Sequence, residues 1–360
     1  MMKLKGLEKV DLVLLINIKL RRFILLFLFL KLWYNENGEN MNIEDIEVEK
    51  ELKVVFMGTP DFSVPILEGL IDNYYVKAVI TQPDKQVGRS GKLSMPPIKR
   101  FALDKNLLVI QPKSMKLEYQ EIIYLEPDLI VTCAYGQILP KELLDYPKYG
   151  CINVHASLLP KLRGGAPIHK AIIEGYKKTG ITIMHMAPGM DDGDIIAQKE
   201  VIIEESDTAN TLHDKLKIVG RDLLLETLPS ILDGTAPRVK QDASQVTYAF
   251  NIKPEEEKID FTKSKNEIYN QIRGLNSWPG AYCFLEGKRL KIWESYKTDN
   301  YFSELMDGQI TNVYKDGIGV KVSNGEIVIT LVQLEGKNKM RAVDFANGFG
   351  KQNLIGKILA

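Results

Sequence analysis

Cysteine is scarce in this sequence: only Cys133, Cys151 and Cys283 stand among 360 residues, and no two form a CxxC pair. An odd number at such wide spacing excludes a disulfide framework and a thiolate metal site, and fits a reducing compartment. Histidine is also sparse, with four scattered residues and no HExxH, so a zinc-hydrolase reading has no support and no metal is expected. Net charge is missing too. Lysine plus arginine total 47 and aspartate plus glutamate total 47, so no global field advertises a nucleic-acid or membrane partner. Nor is there an unbroken apolar run of the about 20 residues that cross a bilayer. LVLLI, around residues 13 to 16, and FILLFLFL, at 23 to 30, are divided by the basic KLRR of 19 to 22. Lys31 closes the second run and no small-residue cleavage pattern follows, which argues against a signal peptide. Residues 1 to 50 are therefore expected to be an N-terminal extension outside the fold, with Met41 opening an acidic leader into Lys53.

What is present is a chain with 45% hydrophobic residues, long enough for two domains with sizeable cores. From Lys53 short β-branched runs (KVVFMG, VKAVITQ, LLVIQ, DLIVTCAYG, CINVH) alternate with amphipathic stretches such as SVPILEGLI. That alternation predicts βαβ units and a Rossmann-like, largely parallel sheet from 51 to 234, with ligands beyond the carboxyl ends of its strands. GTPDF after the first strand lacks GxGxxG, so it reads as a turn without a phosphate role. Residues 235 to 250 have no periodicity and read as a linker. Beyond them EEEKIDF and SKNEIYNQIRGL suggest helix, followed by alternating strands and the hairpin signal Asn324-Gly325, which together suit a small OB-like β-barrel from 251 to 360.

The most informative stretch is CINVHASLLPKLRGGAPIHKAI, beginning at Cys151. Strand alternation puts Asn153 and His155 on one side, and two prolines with a Gly pair then force a bent loop before a helix resumes near Pro167. A strand end, a loop and a helix start mark a site. Downstream, GITIMHMAPGMDDGDIIAQ carries Asp191, Asp192 and Asp194 in one loop. Three carboxylates cannot all face a core, so Asp192 is expected in solvent, Asp194 at a turn and Asp191 against His155. Cys151 is read as a core residue pointing with the apolar set of its strand, and His169, His185 and His213 as surface or satisfied histidines, with His185 nearest the site.

These motifs, together with VVFMGTPDFSVPIL, TQPDKQVGRSGKLSMPPIK, CAYGQILP and RGLNSWPGAY, resemble the methionyl-tRNA formyltransferase family, whose members use N10-formyltetrahydrofolate. The resemblance runs from about Lys53 to the C-terminus. It implies a catalytic triad of Asn153, His155 and Asp191, tetrahydrofolate contacts at Ser157, Leu158, Leu159 and Pro160, and no metal. It also implies initiator methionyl-tRNA as acceptor, a cytoplasmic setting, no stable membrane partner and a monomer. The sequence departs from the family at Asp192, where relatives often have Thr, and at Gly165, where many have Ala. The residue types suit the chemistry. An amine attacking a formyl carbon builds an oxyanion that positioned donors stabilise, and the amine must lose a proton, work for which histidine is apt. Ser157 has no free histidine partner and reads as a contact rather than a nucleophile.

Between Pro83 and Phe101 lie Lys85, Arg89, Lys92, Lys99 and Arg100 against the single acid Asp84. A solvated loop is the ordinary reading of such a run; by resemblance it is the tRNA acceptor-arm loop, with Arg89 and Lys92 as contacts. Residues 251 to 360 hold 16 basic and 14 acidic side chains, so any tRNA patch there comes from arrangement. Two rivals stay open. Another amine, such as a glycinamide ribonucleotide or an amino sugar on a nucleotide, would use the same triad, and a non-catalytic nucleic-acid-binding protein would keep the barrel alone.

Overall fold

The computed structural model describes residues 52 to 87 and 91 to 360, so the expected N-terminal extension lies outside the described residues. The first sheet contains β1 (Lys53–Gly58), β2 (Tyr75–Ile80), β5 (Val109–Ile110), β6 (Leu129–Cys133), β7 (Cys151–His155), β8 (Lys178–His185) and β9 (Ile195–Ile202). The order is β5-β2-β1-β6-β7-β8-β9. The strands from β5 to β7 are parallel, and β8 and β9 are added antiparallel at one edge. Apart from Lys53 at the start of β1 and Thr132 in β6, these two strands carry no polar side chain, because helices and loops cover both faces of the sheet, as parallel strands require.

Helix α1 (Val64–Asn73) and the long α2 (Ala209–Leu232) lie on one face. α2 starts at a reciprocal cap in which Thr208 Oγ1 accepts from Thr211 N at 3.2 Å and Thr208 N donates to Thr211 Oγ1 at 3.0 Å. Its buried Leu212, Leu216, Leu223 and Leu224 recur at helical spacing against Val154 and Ile181 of the sheet. Among the described residues no helix is long and apolar enough to cross a membrane.

The segment read as a linker is pinned over the site loop: Arg163 N donates to Thr247 O at 2.9 Å and Ala249 N to Arg163 O at 2.7 Å. EEEKIDF was expected to be helical, but only one 3-10 turn forms, at Pro254–Glu257. Ile259 and Phe261 alternate into the second core instead, and Ile259 N donates to Tyr282 O at 2.8 Å. The expected helix follows as α3 (Lys265–Gly274).

The second sheet is antiparallel: β10 (Ala281–Leu285), β11 (Lys288–Thr298), β12 (Ile310–Val313), β13 (Ile318–Val322), β14 (Gly325–Leu334) and β15 (Met340–Arg341). Its order is β10-β11-β14-β13-β12, with β15 on β14. Val322 pairs with Gly325, so the hairpin turns on Ser323 and Asn324, one residue earlier than the Asn-Gly signal suggested. The last residues of the chain join the two edges. Phe284 and Ala360 exchange backbone hydrogen bonds of 2.7 and 2.9 Å on the β10 side, and Ile310 N donates to Lys357 O at 2.8 Å on the β12 side. This bridging tail closes the sheet as a barrel and leaves no free pairing edge there.

α3 docks this barrel on the first sheet's layer. Arg273, although buried, is satisfied because its Nη1 donates to the carbonyls of Glu204 at 3.0 Å and Asp207 at 2.9 Å.

Candidate active site

The carboxyl ends of β1, β6 and β7 open into one cleft of about 860 Å³. Asn153 and His155 project from β7 on the same face, as alternation requires. Cys151 belongs to that face too, so the expectation that it points with Ile152 and Val154 is corrected: it packs with Met57, Ile130 and Leu143 on the opposite side of the sheet from theirs. It is nevertheless a core residue, and burial pushes its thiol up to about 12.

Thr132, on the neighbouring strand and in register with Asn153, is 3% exposed. Its hydroxyl has Ile152 O and Met186 Sδ at 3.2 Å and Asn153 Oδ1 at 2.9 Å; donating its one hydrogen to the nearest, Oδ1, it leaves the Asn153 NH2 group turned toward the cleft. Sequence reasoning missed Thr132, because only the cross-strand register reveals it.

His155 is 7% exposed. Its Nε2 lies 3.2 Å from the carbonyl oxygen of Leu162; a carbonyl can only accept, so Nε2 carries the hydrogen and Nδ1 is left basic. Nδ1 is 3.7 Å from Asp191 Oδ2, too long for a hydrogen bond and close enough for an ion pair once Nδ1 is protonated. Leu162 is held in the left-handed region, φ 59°, by its buried side chain and by its N–H donating to Thr247 Oγ1 at 2.9 Å. A non-glycine residue in that region marks backbone fixed by its surroundings.

Asp191 is anchored in turn. Gly164 N donates to its Oδ2 at 2.8 Å, and Gln241 Nε2 donates to the carbonyls of Asp191 and Gly193, each at 2.8 Å. Gly164 has φ 117°, and a Cβ there would meet Ala249 O at 2.8 Å, so glycine is required at this approach. At Gly165 a Cβ would meet the Asn251 side chain, which lines the cleft. Asp192 is exposed, as expected; Asp194 lies just before β9, where its carbonyl accepts from His185 N at 2.9 Å.

Other expectations shift. Ser157, Leu158, Leu159 and Pro160 do not line the cleft. Ser157 is fully buried with Oγ donating to Lys161 O at 2.7 Å, and Leu159 is buried with its N–H on Thr182 Oγ1 at 3.1 Å. Leu158 and Pro160 are half-buried. The GTPDF turn, read as structural only, supplies Asp61 and Phe62 to the cleft wall. His169 and His213 also reach that wall, whereas His185, placed nearest by the sequence, lies outside the cleft. His169 Nδ1 is 2.7 Å from Gly274 O, and burial holds its imidazole below the ordinary value despite that contact. Asp61, His213 and Asp214 gather within 4.8 Å of one another, but Lys217 already pairs with both carboxylates, its Nζ lying 2.6 Å from Asp214 and 3.8 Å from Asp61.

The basic segment forms a two-stranded antiparallel ribbon, β3 (Lys85–Val87) with β4 (Lys92–Ser94), rather than an irregular loop. Lys99 is spent on Asp84, its Nζ 2.8 Å from both carboxylate oxygens, which with Gln111 hold Asp84 below the usual carboxylate range. Arg89 lies outside the described residues, and Lys92 begins β4.

Comparison with known proteins matches this chain to two family models, "Formyl transferase" over residues 52–228 and "Formyl transferase, C-terminal domain" over 251–350. The methionyl-tRNA formyltransferase of Bacillus licheniformis is 54% identical over 304 residues, which is 83% of this chain and 96% of that protein. That of Bacillus subtilis is 52% identical over 300 residues, 82% and 94% of the two chains. Among solved structures, WlaRD, a sugar 3N-formyl transferase in the presence of dTDP and 5-N-formyl-THF, shares the fold at a TM-score of 0.60 and 22% identity, over 80% of this chain and 99% of its own. HypX from Aquifex aeolicus in complex with tetrahydrofolic acid aligns at 0.57 and 14% identity, over 83% of this chain and 48% of its own. With just over half of the aligned residues identical to those Bacillus proteins along nearly their whole length, the chain belongs to the methionyl-tRNA formyltransferase family.

Proposed function

We propose that the chain transfers the formyl group of N10-formyltetrahydrofolate to the α-amino group of methionine on initiator tRNA, by direct amine attack without a covalent enzyme intermediate. The observation that carries this reading is the convergence of Asn153, His155 and Asp191 on one cleft, with the Asn153 amide turned inward by Thr132. The amine nitrogen forms a bond to the formyl carbon, whose oxygen becomes an oxyanion. Asn153 NH2 is the donor facing that charge, and one such donor is worth about 3 to 4 kcal/mol in a low-dielectric site. The amine proton passes to His155 Nδ1, where Asp191 at 3.7 Å stabilises the imidazolium. Collapse then breaks the bond from carbon to N10, and the same proton leaves with the tetrahydrofolate amine.

In this reading Leu158 and Pro160, which keep exposed surface, offer apolar contact to the folate, while Ser157 and Leu159 hold the loop that presents the Leu162 carbonyl. Arg89 and Lys92, of the basic segment that follows Pro83 in the sequence, grip acceptor-arm phosphates. Every residue assigned comes from one chain, so a monomer suffices, and the setting is the cytoplasm, with no membrane partner.

The test is an acceptor panel. The full chain with N10-formyltetrahydrofolate should formylate methionyl-tRNA and leave glycinamide ribonucleotide and amino-sugar nucleotides unmodified. Preferential use of either small amine would overturn the acceptor assignment, and no turnover with any of them would favour a binding protein.

A further inference from the structure

RGLNSWPGAY marks the family, yet nothing in the reaction described above uses its tryptophan. Trp278 is 71% exposed and lines the catalytic cleft from the barrel's side. Ile138 and Met190, 80% and 52% exposed, line the same cleft, so Trp278 belongs to an exposed apolar lining of the kind that marks a binding site. The backbone that presents it is fixed. Asn276 accepts from Asn210 N at 3.1 Å through its carbonyl and donates through Nδ2 to Trp293 O at 2.8 Å. Gly280 N donates to Leu275 O at 2.9 Å, and Pro279 O accepts from Lys291 Nζ at 2.6 Å. Among the described residues the aromatic ring beside the indole is His169, its centroid 6.4 Å away at 61°, and most of the Trp278 side chain is open to solvent.

We infer that Trp278 is the platform on which the 3′-terminal base of the acceptor tRNA stacks. This rests on the function proposed above: the methionyl group is esterified to the terminal ribose, so its base must enter the same cleft. The end of a tRNA is single-stranded, and unstacked bases bind exposed aromatic faces in a sequence-tolerant way. Methionine is the poorer occupant, because a small thioether side chain would not cover a ring that stays mostly in solvent.

The experiment titrates the full chain with uncharged initiator tRNA while tryptophan emission is followed, using the intact tRNA and the same tRNA lacking its terminal adenosine. The parent should be quenched more by the intact tRNA, and Trp278→Phe should abolish that difference; the other two tryptophans of the chain, Trp33 and the buried Trp293, serve as background in both proteins. In turnover, Trp278→Ala should lower kcat/KM for methionyl-tRNA about tenfold to hundredfold, the range that stacking contributes per base, and Trp278→Phe should restore part of it. Folate-analogue binding and Tm should match the parent. Parental kcat/KM in Trp278→Ala, an equal loss of folate binding, or a quenching difference that survives in Trp278→Phe would each overturn the inference. A parent that formylates no tRNA removes the proposed function and this inference together, whereas a parent that does, with Trp278→Ala unaffected, removes this inference alone.

Discussion

Thr132→Val is the sharpest perturbation of the site. Valine matches threonine in shape, and Thr132 is 3% exposed in a packed strand, so folding should be little affected apart from the lost hydroxyl. What disappears is the donor at 2.9 Å that fixes Asn153 Oδ1 away from the cleft. A neutral hydrogen bond contributes about 0.5 to 1.5 kcal/mol net, so the inward-donating amide should lose most of its advantage over the flipped one. Flipped, Asn153 offers an oxygen to the developing oxyanion and acts as a repulsive group. The loss of kcat should therefore be about 2- to 13-fold, below the 10² to 10³ expected for removing an oxyanion donor altogether. Steady-state formylation of methionyl-tRNA measures it, with KM for the folate donor near parental. The double variant Thr132→Val/Asn153→Ala should be no slower than Asn153→Ala alone, because residues acting through one group are not additive. Parental kcat in Thr132→Val, or additive losses in the double variant, would refute the positioning role.

Leu159→Ala should lower stability by about 2 to 5 kcal/mol, since Leu159 is 3% exposed, while the folded fraction binds a folate analogue normally; denaturant unfolding and analogue titration check both halves. Arg89→Ala should weaken use of methionyl-tRNA and flatten its salt dependence without changing folate binding, and Arg89→Lys should rescue only in part, because a point charge lacks the planar fork that holds phosphate. Burial holds His169 and His185 below their ordinary value, so the unfolded chain takes up protons first as pH falls. Their contribution to stability is then present above pH about 6.5 and lost below it, and urea unfolding at pH 7.5 and 5.5 should show a smaller drop for His169→Asn than for the parent.

The parallel sheet was legible because buried strands such as KVVFMG carry no polar side chain after their first residue, and Asn153 with His155 because strand alternation puts residues two apart on one face. Thr132 was not, since its role exists only across strands and depends on which strand becomes the neighbour. His169 and His213 were read by their local helical context, which says nothing about a wall assembled from segments more than 100 residues apart, as the His169 contact with Gly274 illustrates. EEEKIDF misled through its helix-favouring glutamates; the alternation of Ile259 and Phe261 was the stronger signal, because burying both outweighs propensity. In SLLP the motif was clear and its direction was not, since Ser157 and Leu159 are buried against partners from elsewhere in the sheet, such as Thr182, whose Oγ1 accepts from Leu159 N.

The most direct measurement of the catalytic assignment is single-turnover formylation of methionyl-tRNA by saturating His155→Ala, with N10-formyltetrahydrofolate bound, beside the parent. The proton acceptor Nδ1 and its contact with Asp191 are removed together, so the rate should fall about 10²-fold or more while folate-analogue affinity and Tm stay parental. A rate within a few fold of the parent would contradict the assignment of His155 as the group that takes the amine proton.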